Sequence, residues 1–146
     1  MNLRGINHVV LKVGSLAASD AFYRGVLGME RVGERGNMWF YTAGAHHHDL
    51  ALMELGSGAV SAPKNAVGLF HLCFDVPNEN ALAELYAKCR NAGAHLLGSV
   101  DHNIMRSFYV LDPDGNVIEL GVDVPKSEWK DQANAFEADR PYEIAS

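Results

Sequence analysis

The sequence predicts an α+β fold built from two βαβββ modules. Two observations carry that prediction. A strand, an amphipathic stretch and three further strands occur in the same order in each half of the chain. Landmark residues also recur at a nearly constant offset: 63 residues separate His8 from His71, and 65 separate both Gly28 from Gly93 and Glu54 from Glu119. A duplicated module explains both. Its first copy covers about residues 5–56 and its second about 67–122, with a Gly-, Ser-, Ala- and Pro-containing linker over 57–66 and a tail over 123–146.

Residues 6–13 (INHVVLKV) read as the first strand. Residues 15–29 follow with Leu16, Phe22, Val26 and Leu27 at helical spacing, Ser15 as a candidate N-cap and Gly28 where a helix C-terminal glycine belongs. Strands are then expected over 30–34, 38–42 and 49–55. In the second half, residues 68–76 (GLFHLCFDV) match the first strand. Residues 80–94, with Leu82, Leu85, Tyr86 and Cys89 on one side, match the helix, with Asn78 or Asn80 as N-cap and Gly93 at the end. Strands are expected over 95–100, 107–111 and 116–122. The tail carries Pro125, Trp129, Phe136, Pro141 and Tyr142, and its aromatics imply that it packs on its own chain or on a neighbouring subunit.

A chain of 146 residues with 48% hydrophobic content can bury one domain's core. The net charge of -6, from 18 acidic and 12 basic residues without a basic cluster, excludes the electrostatic footprint of a nucleic-acid binder. No apolar run is long enough to span a membrane and no charged-then-apolar leader opens the chain, so a cytoplasmic protein without a membrane partner is expected. Cys73 and Cys89 are too few and too far apart for a disulfide framework or a Cys-x-x-Cys site, and are expected to be reduced fillers.

Strand alternation groups His8 with Val10 and Lys12, away from the apolar Val9, Leu11 and Val13 that should meet the helix. By the same rule His71 groups with Cys73 and Asp75, and Glu119 with Val117 and Gly121. Two imidazoles and one carboxylate facing one pocket form the donor set of mononuclear non-haem Fe(II) oxygenases, which leaves coordination positions open for substrate and O2. Singly, each is as well read as a hydrogen-bonded core residue.

Residues 100–119 (VDHNIMRSFYVLDPDGNVIE) add a tighter pattern. Five residues separate His102 from Phe108-Tyr109, two separate Tyr109 from Asp112-Pro113, and after Gly115 three more lead to Glu119. This order resembles the signature of type I extradiol ring-cleaving dioxygenases, within the vicinal oxygen chelate (glyoxalase/bleomycin resistance/dioxygenase) superfamily. The resemblance covers about residues 5–122. It implies curved mixed sheets around a metal-binding cleft, Fe(II) or in its place Mn(II) held by His8, His71 and Glu119, and a catechol-type aromatic diol opened with O2. His102 and Tyr109 take catalytic positions in that pattern. The run His46-His47-His48-Asp49-Leu50-Ala51 is similar to the segment on which ring-cleaving enzymes carry an acid–base histidine. If the strand runs to Glu54, alternation puts His48, Leu50, Leu52 and Glu54 on one face, which favours His48 for the cleft over His47.

The same superfamily implies two alternatives. In a glyoxalase I-like lyase or isomerase, Glu54 would join the set as a fourth ligand to Ni or Zn. In a metal-free binding or resistance protein, none of these residues would hold a metal. The resemblance further implies the single-domain branch of the ring-cleaving enzymes and a homodimer. Without context, Tyr109 would be sheet packing and His102 a turn residue; their joint spacing to Glu119 makes them candidates.

Overall fold

The computed structural model describes residues 2–63, 65–137 and 139–145. Two compact units divide the chain, Met1–Ala66 and Val67–Ser146. Each has its own mixed sheet with a helix on one face, and the four strands of the first sheet follow the same order as the four repeat strands of the second, which gains one edge strand from the tail.

Unit 1 contains β1 (Val9–Val13), α1 (Leu16–Tyr23), β2 (Glu30–Arg35), β3 (Met38–Thr42) and β4 (Leu50–Glu54). Its sheet runs β1-β4-β3-β2, with β1 parallel to β4 and the other pairs antiparallel. Unit 2 contains β5 (Leu72–Asp75), α2 (Glu79–Asn91), β6 (Leu96–Asp101), β7 (Met105–Leu111), β8 (Val117–Asp123), α3 (Lys126–Trp129) and β9 (Arg140–Pro141). The order here is β5-β8-β7-β6-β9, with β5 parallel to β8. A parallel pair needs a crossover connection, and the helix with two strands between β1 and β4, or β5 and β8, supplies it.

Both helices start where the sequence places them. Ser15 Oγ accepts from Ala18 N and Asn78 Oδ1 from Ala81 N, the latter at 2.9 Å. Their ends differ from expectation in one case. α1 stops at Tyr23, not near residue 29, because the backbone then unwinds: Leu27 N bonds back to Phe22 O and Met29 N to Tyr23 O, and Gly28, at φ 80°, closes the turn. Gly93 at φ 71° ends the second helix in the same way, with Ala94 N on Cys89 O. Most strand ends differ from expectation by one or two residues, but β1 and β5 start three and four residues later. β1 begins at Val9 and β5 at Leu72, so His8 and His71 sit just before their strands.

The cores lie between sheet and helix. In unit 1, Leu11, Val13, Leu16, Phe22, Tyr41, Leu50 and Leu52 are buried; in unit 2, Val76, Leu82, Cys89, Phe108, Val110, Ile118 and Leu120 are buried. Tyr86 of α2 meets Phe108 edge-on at 5.3 Å between ring centres. Both cysteines are free, but only Cys89 fills the core; Cys73 is exposed on the opposite sheet face, because its strand position alternates with the buried side. A buried polar link ties α1 to β3: Asp20 takes the Arg24 guanidinium at 2.7 Å and the Tyr41 hydroxyl at 3.0 Å.

The tail packs on its own unit. β9 pairs with the β6 edge through Val100↔Pro141 and Asp101↔Arg140, and Trp129 Nε1 donates to Val124 O at 3.0 Å. Phe136, by contrast, is exposed. Among the described residues no helix is long and apolar enough to cross a membrane.

Candidate functional site

The β7–β8 hairpin is closed by the Asp-Pro-Asp-Gly turn. Asp112 Oδ1 accepts from Asp114 N at 3.0 Å and Asn116 N at 2.8 Å, Asp112 N donates to Asn116 O at 2.9 Å, and Gly115 takes φ 86°. That turn fixes the register, and the register sets Tyr109 directly opposite Glu119. On the other side of β8, Cys73 is the partner of Glu119. His71 stands two residues before Cys73 on the same alternation, so histidine and glutamate meet on the face away from α2.

Glu119 is 2% exposed, and a buried carboxylate needs partners on both oxygens. It has them. Oε1 accepts from the Tyr109 hydroxyl at 2.7 Å and Oε2 lies 3.0 Å from His71 Nε2. The chain of contacts continues outward, with His102 Nε2 2.8 Å from the Tyr109 hydroxyl and His102 Nδ1 2.6 Å from Asp139 Oδ1. Burial, and then the hydrogen bond to Glu119, push the Tyr109 phenol well above its ordinary pKa, so it stays protonated as a donor. His71 Nδ1 is buried without a hydrogen-bond partner among the described residues.

In unit 1 a second group of imidazoles forms. The rings of His8 and His48 are 4.4 Å apart, those of His47 and His48 4.5 Å apart with their Nδ1 atoms at 2.6 Å, and Phe40 meets His48 edge-on at 5.1 Å. His8 Nδ1 also contacts Asn7 Oδ1 at 2.8 Å. Burial, then the neighbouring His8 and His47, lower the His48 pKa and favour its neutral ring. His46 turns aside to Asp49 at 2.9 Å, where the carboxylate also accepts from Ala43 N and Thr42 Oγ1.

Strand alternation in β4 works against the reasoning from sequence. Leu50 and Leu52 are fully buried on the helix side, and Glu54, on the same side, accepts from Leu16 N at 2.9 Å through Oε1. The side of β4 that matches Val10 and Lys12 of β1 is instead occupied by Ala51 and Met53. His48 therefore reaches His8 not by the parity of β4 but because the turn before Asp49 breaks it, with Asp49 N bonded to Tyr41 O and Val9 N to Asp49 O. Glu54 is occupied as a helix-terminus acceptor.

Of the residues singled out from sequence, then, the structure gathers His71, Glu119, Tyr109 and His102 within unit 2, and His8, His47 and His48 within unit 1. Among the described residues no group of three or more His, Cys, Asp and Glu side chains is gathered in a way that could hold a metal ion. Asp139 escaped the sequence reading. It lies beyond the repeat in a stretch with no local pattern, and only the return of the tail to β6 brings it to His102.

Residues 5–120 match the model of the Glyoxalase/Bleomycin resistance protein/Dioxygenase superfamily. The chain is 36% identical over 117 residues to biphenyl-2,3-diol 1,2-dioxygenase 3 of Rhodococcus globerulus, covering 80% of this chain and 62% of that protein. To catechol-2,3-dioxygenase of Bacillus subtilis (strain 168) it is 30% identical over 125 residues, covering 86% of this chain and 44% of that one. It thus spans 62% and 44% of the length of these two relatives. Among solved structures, lactoylglutathione lyase from Agrobacterium tumefaciens is similar with a TM-score of 0.65 and 26% identity, over 84% of this chain and 96% of that one. The fosfomycin resistance protein FosX from Listeria monocytogenes shares the fold at a TM-score of 0.66 and 20% identity, over 86% and 98% of the two chains.

Proposed function

Because the chain belongs to the glyoxalase/bleomycin resistance protein/dioxygenase superfamily, we propose that it is an Fe(II)-dependent extradiol dioxygenase, which opens a catechol-type ring beside its two hydroxyls and inserts both atoms of O2. One observation carries this reading. The buried Glu119 carboxylate holds a histidine nitrogen at one oxygen and a tyrosine–histidine hydrogen-bonding pair at the other.

The first half of that arrangement fits a metal. An imidazole nitrogen and a carboxylate oxygen side by side are donors that would suit a ferrous ion. His71 Nε2 and Glu119 Oε2 stand 3.0 Å apart. His8 is the third ligand in this proposal, on the strength of its equivalence to His71 in the repeat. A bound ferrous ion would lower the pKa of the diol and let the catecholate and O2 exchange electrons.

The remaining chemistry belongs to side chains. His48, neutral because burial and two neighbouring imidazoles disfavour its charge, is the base that takes a proton from the diol and returns it after O2 has added. Tyr109 keeps its proton, which a bound diol oxygen would draw from Glu119 Oε1, while its other neighbour, His102, holds the hydroxyl in place. The relatives named for biphenyl-2,3-diol and catechol support an aromatic diol as the substrate class.

A lyase reading, with Ni or Zn and Glu54 as fourth ligand, is weakened by the engagement of Glu54 with Leu16 N. Protein reconstituted anaerobically with Fe(II), offered a panel of catechols and then O2, is expected to consume O2 and form a coloured ring-fission product. Silence across the panel would sink the dioxygenase reading. Turnover of the methylglyoxal–glutathione adduct with Ni or Zn would replace it with the lyase.

A further inference from the structure

The C-terminal tail meets three consecutive residues around His102. Asp101 is the register partner of Arg140, His102 Nδ1 lies 2.6 Å from Asp139 Oδ1, and Asn103 Nδ2 donates to Gln132 Oε1 at 2.9 Å and to Ala135 O at 3.0 Å. Just upstream, Ser99 Oγ donates to Tyr142 O at 2.6 Å. The tail is therefore tied down both before and after Asp139. Asn103 itself holds φ 68°, a left-handed conformation uncommon for a residue with a side chain, and its amide is bound to Asp101 Oδ1 at 2.7 Å. The turn that presents His102 is built around the docked tail.

We propose that Asp139 is a positioning residue for His102. It accepts the Nδ1 hydrogen, fixes the ring orientation, and so presents Nε2 to the Tyr109 hydroxyl at 2.8 Å. The geometry leaves the ring little alternative. A flip about Cβ–Cγ would break the contact with Asp139 and turn a carbon toward Tyr109. The consequence for catalysis rests on the dioxygenase reading, because only there does Tyr109 act on a substrate oxygen.

The role is one of aim, not of holding the fold. The Asp139 side chain is 70% exposed, and an ion pair so open to water contributes little to stability. Pairing of β9 with β6 and the Ser99 and Asn103 hydrogen bonds dock the tail without it. Removing the carboxylate should leave the tail in place and the histidine unaimed.

Two measurements on the full chain test this. Nitrogen-15 NMR of the His102 ring in metal-free protein is expected to show a hydrogen-bonded Nδ1–H, which Asp139→Ala loses and Asp139→Asn, still an oxygen acceptor, retains. In the Fe(II)-loaded enzyme, Asp139→Ala is expected to lower kcat for catechol cleavage about tenfold. KM should stay within about twofold, Asp139→Asn should recover most of the rate, and the melting temperature should move by no more than about 2 °C. A His102 spectrum unchanged by Asp139→Ala would overturn the proposal, as would an unchanged kcat. A wild-type protein that cleaves no catechol would instead remove the dioxygenase reading, and the NMR result would still decide whether Asp139 fixes His102.

Discussion

His48 sits against His8 and Phe40 with its charged form disfavoured, so its replacement should separate chemistry from binding. His48→Ala is expected to retain iron and catechol while kcat for ring opening falls about 10²- to 10⁴-fold, the usual worth of a positioned acid–base group. Iron content by metal analysis and single-turnover rates check this; cleavage at the wild-type rate would take His48 out of its role. Asp20 shows a different use of charge. Hydrogen bonds from Arg24, which outweigh burial, hold its carboxyl below the ordinary range. A carboxylate with a depressed folded pKa stabilises the fold above its unfolded pKa, and that stabilisation is lost as pH falls through the folded value. Asp20→Asn should therefore melt lower than wild type at neutral pH, with the gap narrowing as the pH is taken below about 4. A constant gap down to acid would mean that the carboxylate charge is not what holds α1 to β3.

Between residue and fold stands the β7–β8 hairpin, whose turn chemistry is inseparable from the site. Asp112 is 4% exposed and satisfies two turn amides with one oxygen while the other takes the Asn116 amide. Asp112→Ala leaves those donors unpaired and is expected to cost about 1–3 kcal/mol in denaturant unfolding. Because the turn sets the register that opposes Tyr109 to Glu119, ring cleavage should fall as well. The turn is fully readable from the letters Asp-Pro-Asp-Gly, and so are the cap Ser15 and the terminal glycines Gly28 and Gly93, because each acts on its immediate neighbours, while the structure selects Asn78 over Asn80 as the second cap. The early end of α1 is not readable, since it follows from how Phe22 and Tyr23 carbonyls are recaptured by Leu27 and Met29.

For the whole molecule, duplication is the governing fact: each unit repeats one strand order and carries its own core. A metal that binds only the folded chain raises its stability by mass action, about 2.7 kcal/mol at a hundredfold excess over Kd. Anaerobic Fe(II) is therefore expected to raise the melting temperature of wild type, and the increment should vanish in His71→Ala and Glu119→Ala. His8→Ala is expected to behave likewise; if it keeps the full increment, His8 leaves the ligand set. Activity on aromatic diols, iron dependence and the roles of these ligands all meet in that one comparison with the O2-uptake assay.

The sequence by itself determined the repeat, the helix caps, the hairpin turn and the family, because all four are written in local spacing and in patterns that recur at a fixed offset. It also tied Tyr109 to Glu119 through their spacing in the signature, and the hairpin register then sets them opposite one another. Three matters waited on tertiary structure. Glu54 has the right offset from Glu119 but turns to Leu16 N on the helix side, and His48 reaches His8 only through a break in strand alternation before Asp49. Asp139, 37 residues from His102, comes to it only because the tail folds back along β6. Each depends on a direction set by loops or by chain return, and no short-range periodicity carries that information.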